Sequence, residues 1–98
     1  MYQALPDFIK VKDSPVAGQG LFATEDIPEG VDLGISHVVV DESIMRTPLG
    51  GFVNHSDKPN CIKIEEEQEW GKIYYMRTIK EIKSGQELFL KYTFYSVI

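Results

Sequence analysis

The sequence predicts one small, mostly β domain. The chain has 98 residues, almost no helical periodicity, and several short runs rich in β-branched and aromatic residues. Its composition, 43% hydrophobic and 26% charged, is typical of a globular chain and excludes disorder. A domain of this size buries only about 60–65% of the surface of its unfolded chain, so we expect marginal stability.

Five runs are predicted strands, because each combines β-branched or aromatic residues over a short length. In chain order they are "FIKVK" (8–12), "SHVVV" (36–40), "NCIKI" (60–64), "KIYYMRTI" (72–79) and "ELFLKY" (87–92).

Two of the connections have distinct chemistry. The run "EEEQEWGK" (65–72) predicts a hairpin with Gly71 in the turn, and its acidic residues favour a solvated face over a docking patch for a basic peptide. The run "DESIMRTPLG" (41–50) favours a short helical turn, which Asp41 or Ser43 could cap and Pro48 would end.

One pattern, Ile-x-x-Gly-x-x-Leu, occurs twice. It is "IPEGVDL" (27–33) and "IKSGQEL" (82–88), each with an acid just before the Leu. Each copy predicts a tight turn with its glycine at positive φ. Two copies of seven residues indicate shared turn chemistry and not a repeat protein.

Charge and cysteine usage narrow the function classes. The net charge of −5 argues against general nucleic-acid binding, and it is compatible with a Lys-rich partner or with plain solubility. No apolar run approaches the ~20 residues of a membrane span, and no signal peptide is visible, so we expect an intracellular protein. Cys61 is the only cysteine, which excludes an intrachain disulfide and a Cys-rich zinc site. We predict that it lies in or beside a strand.

The first candidate site is the stretch "SPVAGQGLFA" (14–23). Gly18 and Gly20 flank Gln19 before an apolar strand, and glycines let a ligand approach the backbone closely. A β-bulge or a turn explains the same pattern. It is not a dinucleotide fingerprint, since the third glycine and the following helix are missing.

The second candidate site is "NHSDKPN" (54–60). Asn54, His55, Ser56 and Asn60 all require hydrogen bonds, and Pro59 stiffens the turn. In isolation the stretch could be a polar turn with a satisfied histidine. We expect no metal here, because His37 is the only other histidine and no carboxylates have ligand spacing.

The third candidate site is the C-terminal run "GQELFLKYTFYSVI" (85–98), where Tyr92, Phe94 and Tyr95 crowd together. Strand packing is the simpler explanation. The aromatic residues could also line a narrow channel.

Taken in this order, the three stretches resemble the SET-domain protein lysine methyltransferases. The matching motifs are the early Gly-x-Gly, the run "NHSDKPN" and Gly-x-Glu-Leu-x-x-x-Tyr, here "GQELFLKY". The resemblance covers about residues 8–95 and indicates one SET domain over 1–98, without pre-SET or post-SET segments. The shortness is similar to that of minimal viral and bacterial members.

This resemblance implies a fold and a reaction. The fold would be a β-clip-like arrangement of small curved sheets, with the C-terminal segment passing through the Asn-His-Ser loop as a pseudoknot. S-adenosylmethionine would bind on one face and the target lysine of a protein, a histone or another, on the other. The localisation would be cytoplasmic, or the host nucleus for a viral protein. No metal, nucleic acid or membrane is implied.

The resemblance also implies residue roles. Gly18, Gln19 and Gly20 would contact the amino-acid end of the cofactor, and Asn54 and His55 would hold it from the other side. Tyr92 would be the catalytic residue. The remaining roles are structural support of the pseudoknot by Ser56, Pro59 and Asn60, and lining of the substrate channel by Leu90, Phe94 and Tyr95.

Methyl transfer to lysine requires the neutral amine. With a reference pKa near 10.4, neutralising lysine at pH 8 costs roughly 3 kcal/mol. A desolvating channel beside a positive sulfonium lowers that pKa. Alignment in the channel supplies further acceleration, and the Tyr92 hydroxyl would orient the amine.

The chain departs from the family pattern in several places. The segment 36–50, between the two halves of the domain, is short and lacks Tyr and Trp. The chain ends six residues after Tyr92, so another element must close the channel, and we expect a homodimer. Leu90 stands where many members have Phe or Tyr, at a position that influences how many methyl groups are added.

Two other functions fit the residues. A non-catalytic SET-like module would bind cofactor or a Lys-rich peptide without turnover. An unrelated small β protein with chance motifs is the third interpretation.

Overall fold

A computed structural model describes residues 5–91 of the chain. Eight strands and one short helix follow each other in this range. They are β1 (Ile9–Asp13), β2 (Gln19–Ala23), β3 (Asp32–Val40), β4 (Ser43–Arg46), α1 (Pro48–Phe52), β5 (Asn54–His55), β6 (Cys61–Gln68), β7 (Gly71–Thr78) and β8 (Phe89–Leu90).

The strands form two sheets. β1 and β2 pair as an antiparallel ribbon, and the other six strands form a sheet in the order β4-β3-β7-β6-β8-β5. Two register shifts in the β3–β7 pairing, between Asp32 and Gly34 and between Ile35 and His37, bend that sheet. The prediction of a mostly β fold of small curved sheets is confirmed.

Four of the predicted strands form, as β1, β3, β6 and β7. β1 and β7 lie within one residue of the expected ranges, while β3 begins four residues earlier and β6 ends four residues later. The fifth, predicted over 87–92, contributes only the two residues of β8 within the described range. Glu87 instead makes an isolated bridge to Phe22 of β2. The segment is thus shared between both sheets, which interrupts it as a regular strand.

The predicted helical turn over 41–50 is wrong in position. Asp41 has a φ of 55° in the tight turn between β3 and β4, and Ser43 opens β4 instead of capping a helix. Pro48 begins α1 instead of ending it, and Thr47 is the N-cap, with its Oγ1 accepting from the Gly50 amide at 3.4 Å. Proline suits the first helical position because its missing N–H would have no partner there.

The predicted hairpin at 65–72 is confirmed, with Glu69 and Trp70 as its two turn residues between β6 and β7. Gly71, predicted in the turn, instead opens β7 directly after the turn and pairs with Gln68. A Cβ at Gly71 would overlap the carbonyl of Val39 on the neighbouring strand, so glycine allows the close approach. The acidic side chains of the run are exposed, as predicted for a solvated face.

Both predicted Ile-x-x-Gly turns have positive φ, 84° at Gly30 and 89° at Gly85. The structure adds that the two copies face each other. Ile27 and Ile82 exchange backbone hydrogen bonds of 2.7 and 2.8 Å, and both side chains are buried. This pairing fixes the start of the "GQEL" segment against the first half of the chain.

One apolar cluster holds the ribbon, the sheet and α1 together. Cys61 is part of it at the start of β6, as predicted, and burial raises the pKa of its thiol to about 12. No helix within residues 5–91 is long and apolar enough to cross a membrane. The buried members of the cluster are Ile9, Leu21, Ala23, Ile27, Leu33, Leu49, Val53, Cys61, Met76, Ile82, Leu88 and Leu90.

His37 is a buried polar residue of β3, with Nδ1 2.9 Å from the Ser36 hydroxyl. Burial, together with the positive charges of Lys63 and Arg46, lowers the pKa of His37 to about 4. The imidazole is therefore neutral in the folded protein near neutral pH.

We expect the free energy of unfolding to fall as the pH is lowered from 6.5 to about 4. Over this range the unfolded chain binds a proton at His37 and the folded chain does not, so stability rises with pH there. The contribution is about 3 kcal/mol. Urea denaturation across this range should show a flatter pH dependence for His37→Gln than for the wild type. Parallel curves for His37→Gln and the wild type would contradict the assignment.

Candidate functional site

The Gly-x-Gly loop and the Asn-His-Ser run meet through one side chain. The Asn54 amide nitrogen donates to the carbonyls of Ala17 and Gln19, at 3.1 and 3.3 Å. The same nitrogen lies 2.8 Å from Oε2 of Glu87. Two of the predicted site stretches are thus held together, and a residue of the third joins them.

Glu87 is the acidic residue of the "GQEL" segment, and it is only 8% exposed. The Ser14 hydroxyl lies 2.8 and 3.0 Å from its two oxygens. The Ser14 oxygen also accepts from the Val16 amide, which shapes the start of the glycine loop. A buried carboxyl group is costly unless it is hydrogen-bonded, and these donors supply the bonds.

Sequence reasoning did not assign Glu87 to the site. Its signal was the acid before the Leu in the repeated turn pattern, which predicts turn chemistry. The equivalent acid of the first copy, Asp32, instead binds Arg77 on the surface, at 2.6 Å. Only the fold separates the two copies.

The two glycines of the loop have different surroundings. A Cβ on Gly20 would overlap the Glu87 carboxyl group and press on the Asn54 amide, so a larger residue requires these side chains to shift. Gly18 has a φ of 46°, and a Cβ there would meet nothing within 4 Å. Gly20 therefore permits internal packing, while Gly18 provides the backbone turn on an open side.

The segment that follows Glu87 lies inside the Asn-His-Ser loop. β8 pairs in parallel with β5 on one side, where His55 faces Leu90, and with β6 on the other, where Cys61 faces Leu90. The amide of Ser56 donates to the carbonyl of Leu90 at 3.2 Å. Residues 89–90 therefore occupy the space between the two strands that the loop connects.

Asn60 fastens this segment from the far side of the loop. Its Nδ2 donates to the Glu87 carbonyl at 2.9 Å, and its Oδ1 accepts from the Phe89 amide at 2.7 Å. Its own carbonyl accepts from the Ile79 amide at 2.9 Å. One side chain thus replaces the backbone pairing that a continuous strand would supply.

His55 and Ser56 lie at the surface side of the loop. The His55 Nε2 is 3.3 Å from a carboxylate oxygen of Asp57, and both side chains are well exposed. The Ser56 Oγ accepts from the Lys58 amide at 3.0 Å and closes a small turn. Both contacts are local, and they shape the rim of the loop.

A groove of about 280 Å³ lies beside β8, where the described chain ends. Lys63 is one of its lining residues, but the Lys63 ammonium group lies 5.8 Å from the centre of the Tyr74 ring. Burial lowers the pKa of Lys63 to about 8. Leu90 itself is buried. The lining residues are Pro59, Cys61, Ile62, Lys63, Leu90 and Lys91.

Three of the predicted site residues, Tyr92, Phe94 and Tyr95, lie outside the described residues. Within residues 5–91, no three His, Cys, Asp or Glu side chains cluster so as to hold a metal ion.

Comparison with known families identifies the class of this fold and site. The SET domain profile matches residues 31–93, nearly two thirds of the chain. The chain belongs to the SET-domain family, as the resemblance of its motifs indicated. The Gly18–Gly20 loop lies before the matched range and joins it through Asn54 and Glu87.

Solved structures share the fold. The crystal structure of a candidate histone methyltransferase from Plasmodium falciparum aligns with a TM-score of 0.74 at 17% identity, over 91% of this chain and 96% of that one. Two structures of the Chaetomium thermophilum Polycomb Repressive Complex 2, an apo mutant and a humanized mutant with a bound inhibitor, each align with a TM-score of 0.67. Their identities are 23% and 24%, over 86% of this chain and 15% of theirs. Comparison with curated proteins gives no match.

Substitution of the two loop glycines should have unequal effects. We expect Gly20→Ala to lower the free energy of unfolding by about 1–3 kcal/mol, because its methyl group displaces Glu87 or Asn54. Gly18→Asn is the matched control, since asparagine tolerates a positive φ and the position is open. Thermal denaturation measures both variants. Equal losses of stability would show that the packing around Gly20 is not what distinguishes the two positions.

Proposed function

We propose that this protein transfers a methyl group from S-adenosylmethionine to a lysine side chain of a protein. Membership of the SET-domain family supports methyl transfer to lysine in general. One observation within the chain supports it further: Ser14, Asn54 and Glu87 tie all three motif-bearing segments into one polar cluster.

The residues present fit the amino-acid end of this cofactor. Gly18 is open on the side where a Cβ would stand, so a ligand can approach the loop backbone. Glu87 places acidic oxygens beneath Gly20, which suits a nearby ammonium group. Gly18, Gln19 and Gly20, with Asn54 and His55 on the other side, would hold the ligand. When bound, the cofactor supplies a methyl group on a positively charged sulfur.

Asn54 serves this site mainly by position. Its amide nitrogen already donates to two loop carbonyls and to Glu87. Asn54 therefore fixes the loop that would contact the cofactor, and the carbonyl oxygen of its side chain can accept from a ligand.

The chain must also favour a neutral substrate amine. We assign this task to the groove beside the buried side chain of Leu90. Desolvation in a channel there would lower the pKa of an entering lysine. Tyr92 follows directly after this groove in sequence, and we propose that its hydroxyl orients the amine. Phe94 and Tyr95 complete the proposed channel.

The proposed substrate is a protein lysine, and histones are the first candidates, because the similar Plasmodium falciparum structure is described as a candidate histone methyltransferase. Other Lys-bearing proteins fit the same chemistry. The test uses radiolabelled methyl transfer into histones and into a cell lysate, followed by mass spectrometry of the labelled lysine.

Tyr92→Phe should reduce turnover by about 10²-fold or more, because it removes the hydroxyl that orients the amine. Calorimetry should find nearly unchanged cofactor affinity. Tyr75→Phe, on the half-buried face of β7, is the control and should keep the wild-type rate. Absence of saturable cofactor binding would contradict the proposed function, and a wild-type rate for Tyr92→Phe would remove Tyr92 from it.

A non-catalytic SET-like module is the second candidate. The observation that favours it is the segment 36–50, which lacks Tyr and Trp and forms the end of β3, the short β4 and the start of α1. Cofactor binding without methyl transfer to any protein of the lysate would favour this candidate.

We also propose that the chain forms a homodimer that completes the channel. Exposed apolar side chains at Met45, Phe52 and Ile62 are available for such contact. Size-exclusion chromatography with light scattering should give about 22 kDa, twice the chain mass of 11.1 kDa. A mass of one chain at all working concentrations would contradict the dimer.

A further inference from the structure

A concave surface lies away from the site, at the opposite end of β6. Here the β3–β4 turn and the β6–β7 turn stand side by side and enclose a groove of about 680 Å³. We call it the hairpin groove. Its lining residues are Val39, Asp41, Glu42, Ile44, Glu67, Gln68, Glu69, Trp70, Gly71, Lys72 and Tyr74.

The floor of the hairpin groove is a cross-strand row. Ile44 faces Val39, Val39 faces Lys72, and Lys72 faces Glu67 in the registers of four neighbouring strands. Directly paired residues share one face of a sheet. Two apolar side chains, a base and an acid therefore follow one another in that order on a single surface.

Trp70 forms one wall of the hairpin groove. It is 51% exposed at the tip of the β6–β7 turn, and it is the only tryptophan in the chain. The close approach of Gly71 to Val39 sets this turn against β3. An exposed aromatic ring beside a concave apolar floor is the kind of side chain that anchors protein contacts.

The rim of the hairpin groove is strongly acidic. Four lining carboxylates, those of Asp41, Glu42, Glu67 and Glu69, face one lining base, Lys72. The Lys72 ammonium is 3.5 Å from a carboxylate oxygen of Glu65, so a fifth acid offsets its charge. The groove therefore presents a negative field around an apolar floor.

We propose that the hairpin groove docks a basic, extended segment of a protein partner. The carboxylates match Lys and Arg head groups, while the Trp70 ring and the Val39 and Ile44 side chains match their methylene stems. Charge complementarity thus selects a Lys/Arg-rich segment over an acidic or a purely apolar one.

The position of the groove connects docking to the proposed reaction, and this step rests on the proposed function. β6 starts at Cys61, beside β8, and ends at Gln68 in the hairpin groove. Its length is about 23 Å at ~3.3 Å per residue. An extended substrate segment of about seven residues spans the same distance. The docked basic residues would belong to the substrate, and they would lie at least about seven residues from the target lysine in its sequence.

The test needs neither cofactor nor turnover. The probe is a fluorescein-labelled peptide of alternating Lys and Ala, and its anisotropy is followed with Trp70 fluorescence as a second readout. We expect saturable binding with a Kd below about 100 µM at low salt, weakening at least tenfold as ionic strength rises from about 50 to 500 mM. The same peptide with Gln in place of Lys should not bind.

Charge-reversal variants distinguish binding at the groove from attraction by the net charge of the whole protein. Glu42→Lys with Glu69→Lys, both at exposed turn positions, should weaken the binding by about tenfold or more. Asp7→Lys with Glu29→Lys makes the same change of charge away from the groove and should weaken it less than about twofold. Trp70→Ala should weaken the peptide binding measured by anisotropy, although it leaves the net charge unchanged. Circular dichroism identifies variants that fail to fold. If Trp70→Ala does not fold, Trp70→Phe replaces it; this variant keeps an aromatic ring, so its expected loss of peptide binding is smaller.

Three outcomes would overturn the proposal. The first is absence of saturable peptide binding by the folded wild type, and the second is equal weakening of that binding by the two double variants. The third is a Trp70 fluorescence signal that depends on protein concentration without peptide, since this would assign the groove to a second copy of the chain. The proposed function is tested separately. Methyl transfer without groove binding would contradict only the docking proposal, and groove binding without methyl transfer would contradict only the proposed function.

Discussion

The buried carboxyl group of Glu87 is the interaction on which the arrangement of the site depends. It accepts hydrogen bonds from Ser14, which precedes β2, and from Asn54, which lies in β5. Glu87 itself lies on the segment that leads into β8. Burying a carboxyl group costs several kcal/mol unless donors replace the lost water. Removal of either donor would leave that cost uncompensated. The three segments are therefore stable together in one geometry, and the absence of any Cβ on Gly20 provides the necessary space.

The loop around β8 extends the same constraint. A two-residue strand gains little from its own pairing, so its position depends on other contacts. Leu88 and Leu90 are buried in the apolar cluster, and each contributes about 1.5–3 kcal/mol on burial. Asn60 adds two hydrogen bonds to the backbone of the same segment, one to the Glu87 carbonyl and one to the Phe89 amide. The polar residues of the Asn-His-Ser run thus divide into two groups. Asn54 and Asn60 hold the fold, while His55 remains at the exposed rim.

The six-stranded sheet separates two surfaces of different chemistry. At the β5 and β8 edge, small and buried groups surround the junction of the three motifs. At the far end of β6 and β7, two turns expose carboxylates and one tryptophan. The proposed cofactor site lies at the first surface, and the proposed docking groove lies at the second. Both belong to one sheet, in which β6 connects them.

The sequence by itself determined the β class, four strands, the hairpin at 65–72 and the two glycine turns, because these depend on local propensity and backbone sterics. It also identified the SET-domain family through motifs. The helix at Pro48 was within reach as well, since Thr47 before a proline is an N-cap signal. The tertiary structure alone decided the contacts of Glu87 with Ser14, 73 residues away, the pairing of Ile27 with Ile82, and the hairpin groove. These features join residues that are distant in sequence. Local periodicity carries no information about such pairs, and only the burial of one common core brings them together.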